Sequence, residues 1–372
     1  MSRIGIDARI YGAKRGGIGR YTEEFLRVLP EVKTNHTFVV LMRNDDMARY
    51  NPNARNIEKV CADAREYSLK EQIVMPLLLH DTCVDLLHVP HIATPYFWHG
   101  PTVLTAHDLI EYKYKRPEAT SLSPWMYELK HNIYRRIVGE SLSRARAIVA
   151  VSRFAKGDIQ RHFPSTRVPI HVIHPGLAEP VRQAFLDLSS GRRQGKPLRK
   201  PYLLYVGNAA PHKNVERLFG VYRACMEKDK IVEHLVMVMP DDFHTKKFSA
   251  LVSRYPKSMQ ERVHIVSGVD ERDLFFYYKH ANLLVSASKE EGYGMPFAEA
   301  LAHGTPVLAG FVGALPEFSS HNIHYWDTKH IPNMRNKLVH VLHKWDREES
   351  IPNFPSWQKV AEQIVEVYNS VL

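Results

Sequence analysis

Cysteine is scarce in this chain. Cys61, Cys83 and Cys225 are the only three in 372 residues, widely spaced and without a Cys-x-x-Cys pair. Such an odd, scattered set argues against a disulfide framework or a thiolate zinc site and suggests a reducing cytosol. Long apolar runs are lacking as well: none approaches the roughly 20 residues that a membrane-spanning helix needs. The opening segment, Met1 to Ile10, alternates charged and apolar residues like a first strand and carries no signal-peptide core. A cytoplasmic protein is expected, with peripheral contact at the inner face of the cell membrane left open. Internal repeats and low-complexity tracts are absent, which sets solenoids and arrays aside.

What is present is a globular composition, with 44% hydrophobic and 24% charged residues. The chain is too long for one ordinary core and long enough for two α/β domains. Its net charge of +10 favours anionic partners. Much of that excess lies in Tyr112 to Arg116 and in Lys130, Arg135, Arg136, Arg144 and Arg146, interleaved with Trp125, Met126, Tyr127 and Tyr134. One reading is a solvated helix face; the other is a basic, aromatic surface that docks on an anionic leaflet. Nucleic acid is not an expected partner, because no nucleic-acid motif accompanies the charge.

Short β-like runs alternate with amphipathic segments from end to end. The spacing predicts strands at Arg3–Ile10, Thr37–Met42, Val84–Val89, Thr102–Ala106, Ala147–Val151 and Ile170–Ile173. A second series is predicted at Tyr202–Val206, Leu235–Met239, Val263–Ser267, Leu283–Ser286 and Pro306–Ala309. Near-continuous apolar strands separated by helices mean parallel sheets covered on both faces. Between the series, the polar, breaker-rich stretch Ser189 to Pro201 reads as a linker. The expected fold is therefore α/β, with two doubly wound, Rossmann-like domains (1–185 and 200–356) facing a central cleft.

Four segments carry candidate chemistry. In Glu291-Gly-Tyr-Gly-Met-Pro-Phe-Ala-Glu299, a short buried strand precedes the loop and a helix follows from Phe297 to His303, with Pro296 suited to its first position. Gly292 and Gly294 permit a sharp turn, the helix's amino end suits a phosphate-sized anion, and the two carboxylates suit sugar hydroxyls. Ordinary dipole complementarity would also explain a glutamate early in a helix. Gly12 to Tyr21 follows the first strand, and Gly16, Gly17 and Gly19 read as a flexible loop before a helix. It has no Gly-Lys-Ser/Thr, which argues against an NTPase. Tyr205 to Arg217 is again a strand, a Gly turn and a helix start. There Lys213 is unfavourable for the helix dipole unless an anion requires it. His107 in Thr105 to Ile110 sits at a strand's carboxyl end, where it would meet a ligand or be a satisfied structural histidine.

Taken in order, these elements resemble the nucleotide-sugar-dependent glycosyltransferases of family 4, the large retaining group with the GT-B fold. Glu291 to Glu299 is similar to that family's Glu-x7-Glu signature, continued by Glu299 to Val307 and Gly313 to Glu317. Gly207 to Asn214 resembles its Gly-x-x-x-Pro-Arg-Lys-Asn element. Gly16 to Gly19, His107 to Leu109, Val151 to Phe154, Pro175-Gly176 and Phe354 to Trp357 are further echoes, so the likeness covers nearly the whole chain.

The resemblance implies roles. Lys213, with Gly207 and His212 in its loop, would bind the donor diphosphate; Glu299 would hold the ribose, and Glu291 would lie near the transferred sugar. The backbone at Gly294, Met295 and Phe297 would contact phosphates and sugar, and Gly268 and Val269 would flank the base. His107 would meet the sugar from the N-terminal domain, with Gly17 against donor or acceptor. The last helix, 357–372, would cross back to that domain. His212 stands where the family usually has Arg, so a titratable group replaces a permanent charge. Met239-Pro-Asp-Asp242 replaces a Gly-containing turn, which bears on base selection.

By the same resemblance, the expected reaction is retaining transfer of a hexose, with mannose from GDP-mannose favoured and UDP-glucose the alternative donor. The acceptor would be a glycan or lipid-linked glycan. No cofactor is implied beyond the donor co-substrate, and no metal triad is visible, so metal-independent action is expected. Sugar-nucleotide epimerases and non-catalytic nucleotide-sugar or nucleic-acid binders are the rival classes. An epimerase would turn over its substrate without an acceptor, and a binder would consume none.

Overall fold

In the computed structural model, which describes residues 1–115, 123–177, 201–344 and 352–372, the apolar runs become parallel strands. The chain divides into one unit of Met1–Gly176 with Pro355–Leu372, and a second of Leu177–Phe354. The linker segment 189–200 and Arg116 lie outside the described residues.

The first unit contains β1 (Arg3–Asp7), β2 (Thr37–Met42), β3 (Ile57–Cys61), β4 (Leu86–Val89), β5 (Thr102–Ala106), β6 (Ala147–Ala150) and β7 (Ile170–Val172). Their order is β3-β2-β1-β4-β5-β6-β7, all parallel. The second contains β8 (Tyr202–Val206), β9 (His234–Val238), β10 (Val263–Val266), β11 (Leu283–Ser286), β12 (Val307–Ala309) and β13 (Ile323–Tyr325), ordered β10-β9-β8-β11-β12-β13 and again parallel. Each sheet thus reverses its strand order once, between β1 and β4 and between β8 and β11. The loops at such a reversal diverge beyond the strands' carboxyl ends, which is where open α/β sheets bind ligands.

Several expected boundaries shift. β1 stops at Asp7, because Ala8 to Ile10 turns away from the sheet; β4, β6, β7, β10 and β12 are each one or two residues shorter than expected, and β9 sits one residue earlier. Strands β3 and β13 were not legible. Both are edge strands, paired on one side only, and Ile57-Glu-Lys-Val-Cys61 has the half-exposed character that protects an edge. Gly16, Gly17 and Gly19 are not a flexible loop: a 3-10 turn at Ala13–Arg15 leads straight into the helix Gly16–Val28. Gly19 faces the turn so closely that a Cβ there would lie 2.3 Å from the Gly12 carbonyl oxygen.

The helix Trp357–Val371 belongs to the first unit. Ser356 caps it by accepting from the Lys359 N–H (3.2 Å), and Trp357, Val360, Ala361, Ile364, Val365, Val367 and Tyr368 form its buried face. It lies against the helix Gly16–Val28. Each of the valines and Ile364 contributes about 1.5–3 kcal/mol when fully buried. Polar ties add to the packing: His88 in β4 bridges Thr105 in β5 (2.9 Å) and the Tyr368 hydroxyl (2.6 Å). Gly176 lets the chain pass the Trp357 backbone, where a Cβ would sit 2.7 Å from the Trp357 nitrogen.

Candidate functional site

The two loops singled out in the C-terminal half leave the carboxyl ends of β8 and β11, the strands that flank the reversal in the second sheet. That topology brings Lys213 and Glu291, 78 residues apart in sequence, to a distance of 2.6 Å between Nζ and Oε2. The side chains are 19% and 10% exposed, so the pair is largely withdrawn from water yet still open on one side. Two further bonds join the loops. The Asn214 amide donates to the Ala287 carbonyl (3.2 Å), and the Lys289 N–H donates to the His212 carbonyl (2.8 Å).

Local conformation explains the position of Lys213. Pro211–Lys213 forms one 3-10 turn, and Asn214 enters the left-handed region at φ +55° before the helix Val215–Asp229 begins. Lys213 therefore lies just outside that helix, and its ammonium is held by Glu291 rather than set against the helix dipole. Gly207 starts the same loop at φ +148°, with its N–H donating to the Val238 carbonyl (3.1 Å).

Glu291 is supported from behind by a third loop, after β12. The Ala314 N–H donates to the Gly292 carbonyl (3.1 Å), and Gly313 at φ +57° approaches so closely that a Cβ would lie 2.5 Å from the Glu291 carbonyl oxygen. Gly294, left-handed at φ +82°, caps the helix Met295–Ala302, which starts two residues earlier than expected and puts Pro296 at its second position. The Phe297 N–H is engaged by the Gly294 carbonyl (2.9 Å), and its ring is buried.

Glu299 lies in the second turn of that helix, 1% exposed, and accepts a hydrogen bond from the Tyr278 hydroxyl (2.8 Å). Tyr278 comes from the helix Glu271–His280, and no sequence signal pointed to it. Beside it, burial pushes His303 down to about 4, although Nδ1 donates to the Glu299 carbonyl. Gly268 (φ +71°, exposed) and Val269 follow β10, at the edge of the sheet and two strands from β8. They share the carboxyl end of the sheet with the Lys213–Glu291 pair without packing on it.

Gly17 and His107 belong to the first unit. Gly17 is exposed in the first turn of its helix, with open space where a Cβ would be. His107 follows β5; its Nε2–H donates to the Pro90 carbonyl (3.1 Å), and the Tyr21 ring meets it edge-on at 4.8 Å. Burial holds its pKa down to about 4 against the opposing effect of that bond. The ring is therefore neutral at pH 7 and presents Nδ1 as an acceptor.

The reversal between β1 and β4 holds a buried charge cluster that sequence reasoning missed. Arg9, fully buried, lies 2.6 Å from both Asp7 and Glu71. Burial alone would raise the Asp7 pKa, but the adjacent guanidinium keeps it below its usual value. The available signal was two opposite charges, Asp7 and Arg9, at and just after the end of β1.

Two parallel-sheet units, each with chemistry-bearing loops at its strand-order reversal, define a GT-B-type protein, and comparison with known proteins agrees. Residues 15–178 match Glycosyltransferase Family 4, and residues 190–348 match Glycosyl transferases group 1. The chain thus carries both domains of this glycosyltransferase family, which together cover most of its length. Among its relatives, the O-antigen chain mannosyltransferase B of Escherichia coli is 25% identical over 235 residues, 60% of this chain and 58% of that protein. A D-inositol 3-phosphate glycosyltransferase of Corynebacterium glutamicum is 23% identical over 293 residues, 74% of this chain and 68% of that protein. The chain thus spans roughly half to two thirds of the length of the curated relatives it matches. In fold, it is similar to the sucrose-phosphate synthase of Thermosynechococcus elongatus, with a TM-score of 0.73 at 18% identity, covering 100% of this chain and 99% of that one. Among the described residues, no helix is long and apolar enough to cross a membrane.

Proposed function

We propose that this chain transfers mannose from GDP-mannose, with retention of configuration and without a metal ion, to a glycan or lipid-linked glycan. The observation that carries the reading is the Lys213–Glu291 pair at the β8/β11 reversal, a cation and a carboxylate placed for a diphosphate and a sugar respectively. Mannose as the sugar is supported by the relative named a mannosyltransferase. The bond between the anomeric carbon and the diphosphate oxygen breaks as the acceptor oxygen forms its bond on the same face. The acceptor's proton passes to the departing phosphate oxygen, so no separate base is needed. Lys213, aided by the amino end of the helix Val215–Asp229, stabilises the charge that develops on the diphosphate. Glu291 would orient sugar hydroxyls, and Glu299 would hold the ribose.

A thermal-shift panel tests the donor, because a ligand at about 100 times its Kd adds roughly 2.7 kcal/mol to the folded state. GDP-mannose is expected to give the largest rise in Tm. A larger rise with UDP-glucose would refute mannose as the transferred sugar, and an inverted anomeric centre in the product would refute retention. Turnover of UDP-N-acetylglucosamine with no acceptor present would point to epimerase chemistry instead.

A further inference from the structure

Glu299 is 1% exposed, so its carboxylate depends on hydrogen bonds for what water no longer gives. The terminal torsion of a glutamate is soft, with no sharp minimum to fix the carboxylate plane. The Tyr278 hydroxyl supplies that constraint by donating to Oε2 at 2.8 Å. Tyr278 is itself firmly held. It lies near the end of the helix Glu271–His280, is 1% exposed, and packs its ring on the His303 ring at 5.6 Å. Phe275, from the same helix, meets His303 at 4.5 Å.

The turn that closes the helix Met295–Ala302 ties both partners down. His303 Nδ1 bonds the Glu299 carbonyl (2.6 Å), the Thr305 N–H donates to the Ala300 carbonyl (2.8 Å), and the Thr305 hydroxyl donates to the Tyr278 carbonyl. Two helices are thereby clamped at the point where a side-chain bond joins residues 21 apart. A vicinal diol offers two hydroxyl donors to one carboxylate, and it is received well only if that carboxylate keeps one plane. Supporting contacts must hold such a group to within about 0.5 Å of its working position. We propose that Tyr278 is the positioning residue for ribose recognition: by fixing the plane of the Glu299 carboxylate, it makes the second unit select nucleotides with an intact 2′,3′-diol over deoxy forms. The inference rests on the reading of Glu299 as the ribose partner. Tyr278 acts through Glu299 and takes no part in the transfer step.

The test is isothermal titration calorimetry of the full chain with GDP and UDP, each beside its 2′,3′-dideoxy counterpart. The wild type is expected to bind the better of the two diphosphates at least about tenfold more tightly than its dideoxy form. Tyr278→Phe should weaken that diphosphate about tenfold, the effect of losing a hydrogen bond to a charged group, and change the dideoxy form less than about twofold. Glu299→Gln combined with Tyr278→Phe should bind no more weakly than Glu299→Gln alone, because the two side chains act as one unit. If Tyr278→Phe does not fold, Thr305→Val releases the Tyr278 carbonyl while keeping the ring; it should show a smaller loss, again confined to the diol form. A variant that weakens diol and dideoxy forms equally, or neither, overturns the inference, while a selective wild type still leaves Glu299 on the ribose. A wild type that binds both forms alike, or binds neither diphosphate, overturns the ribose reading and the inference with it.

Discussion

Replacing Glu291 by glutamine should make the protein bind a bare nucleoside diphosphate more tightly. In the 2.6 Å Lys213–Glu291 contact, the carboxylate holds the ammonium that a diphosphate would need. A phosphate oxygen seated on Lys213 would lie roughly 5 Å from Glu291, and two like charges at that distance repel by about 3 kcal/mol at an effective dielectric constant of 20. Both side chains keep some access to water, at 19% and 10% exposure, which lowers the effect to about 1–2 kcal/mol. Glu291→Gln should therefore bind GDP about tenfold more tightly in isothermal titration calorimetry while losing turnover, since the sugar loses a charged partner. Lys213→Met should weaken GDP binding by at least tenfold. It also leaves the Glu291 carboxylate without its cation, at a stability cost of about 1–3 kcal/mol that the double variant partly restores. If Glu291→Gln weakens GDP binding, or Lys213→Met binds GDP like the wild type, the diphosphate does not sit where this account places it.

Two further predictions concern the scaffold. Gly313→Ala forces a left-handed φ of +57° on a residue with a Cβ and drives that Cβ towards the Glu291 carbonyl. The strain of about 1–2 kcal/mol should lower Tm by a few degrees and weaken nucleotide binding; a variant unchanged in both would show that the third loop does not support Glu291. The first unit should be acid-labile, because burial lowers His88 to about 3 and His91 and His107 to about 4. Between those values and the unfolded value near 6.5, the unfolded state binds more protons, so stability is complete above about pH 6.5 and is lost as pH falls towards 4. Each ring contributes up to about 1.4 kcal/mol per pH unit in that window. A Tm that stays level from pH 7 to 5 would contradict the neutral, buried state of these rings.

The strands Thr37–Met42, Thr102–Ala106, Tyr202–Val206 and Leu283–Ser286 have the same ends in the structure as in the sequence reading. Strands buried on both faces must be apolar throughout, and that leaves an unmistakable run. Edge strands such as Ile57–Cys61 and Ile323–Tyr325 escape the rule because one side lacks a neighbour. The amphipathic face of Trp357–Val371 was likewise legible, since helical periodicity is local. Periodicity did not name its partner, which only the family resemblance implied, because the His88–Tyr368 bond joins residues 280 apart. The same division holds at the site. Local composition singled out Lys213, Glu291 and Glu299 and the turns that carry them, because glycine and proline impose backbone geometry on their immediate neighbours. Only the placement of β8 beside β11 brought Lys213 to Glu291, and only helix packing set Tyr278 against Glu299. Such contacts depend on which strands pair and which faces are buried, and that is decided by the folded chain as a whole.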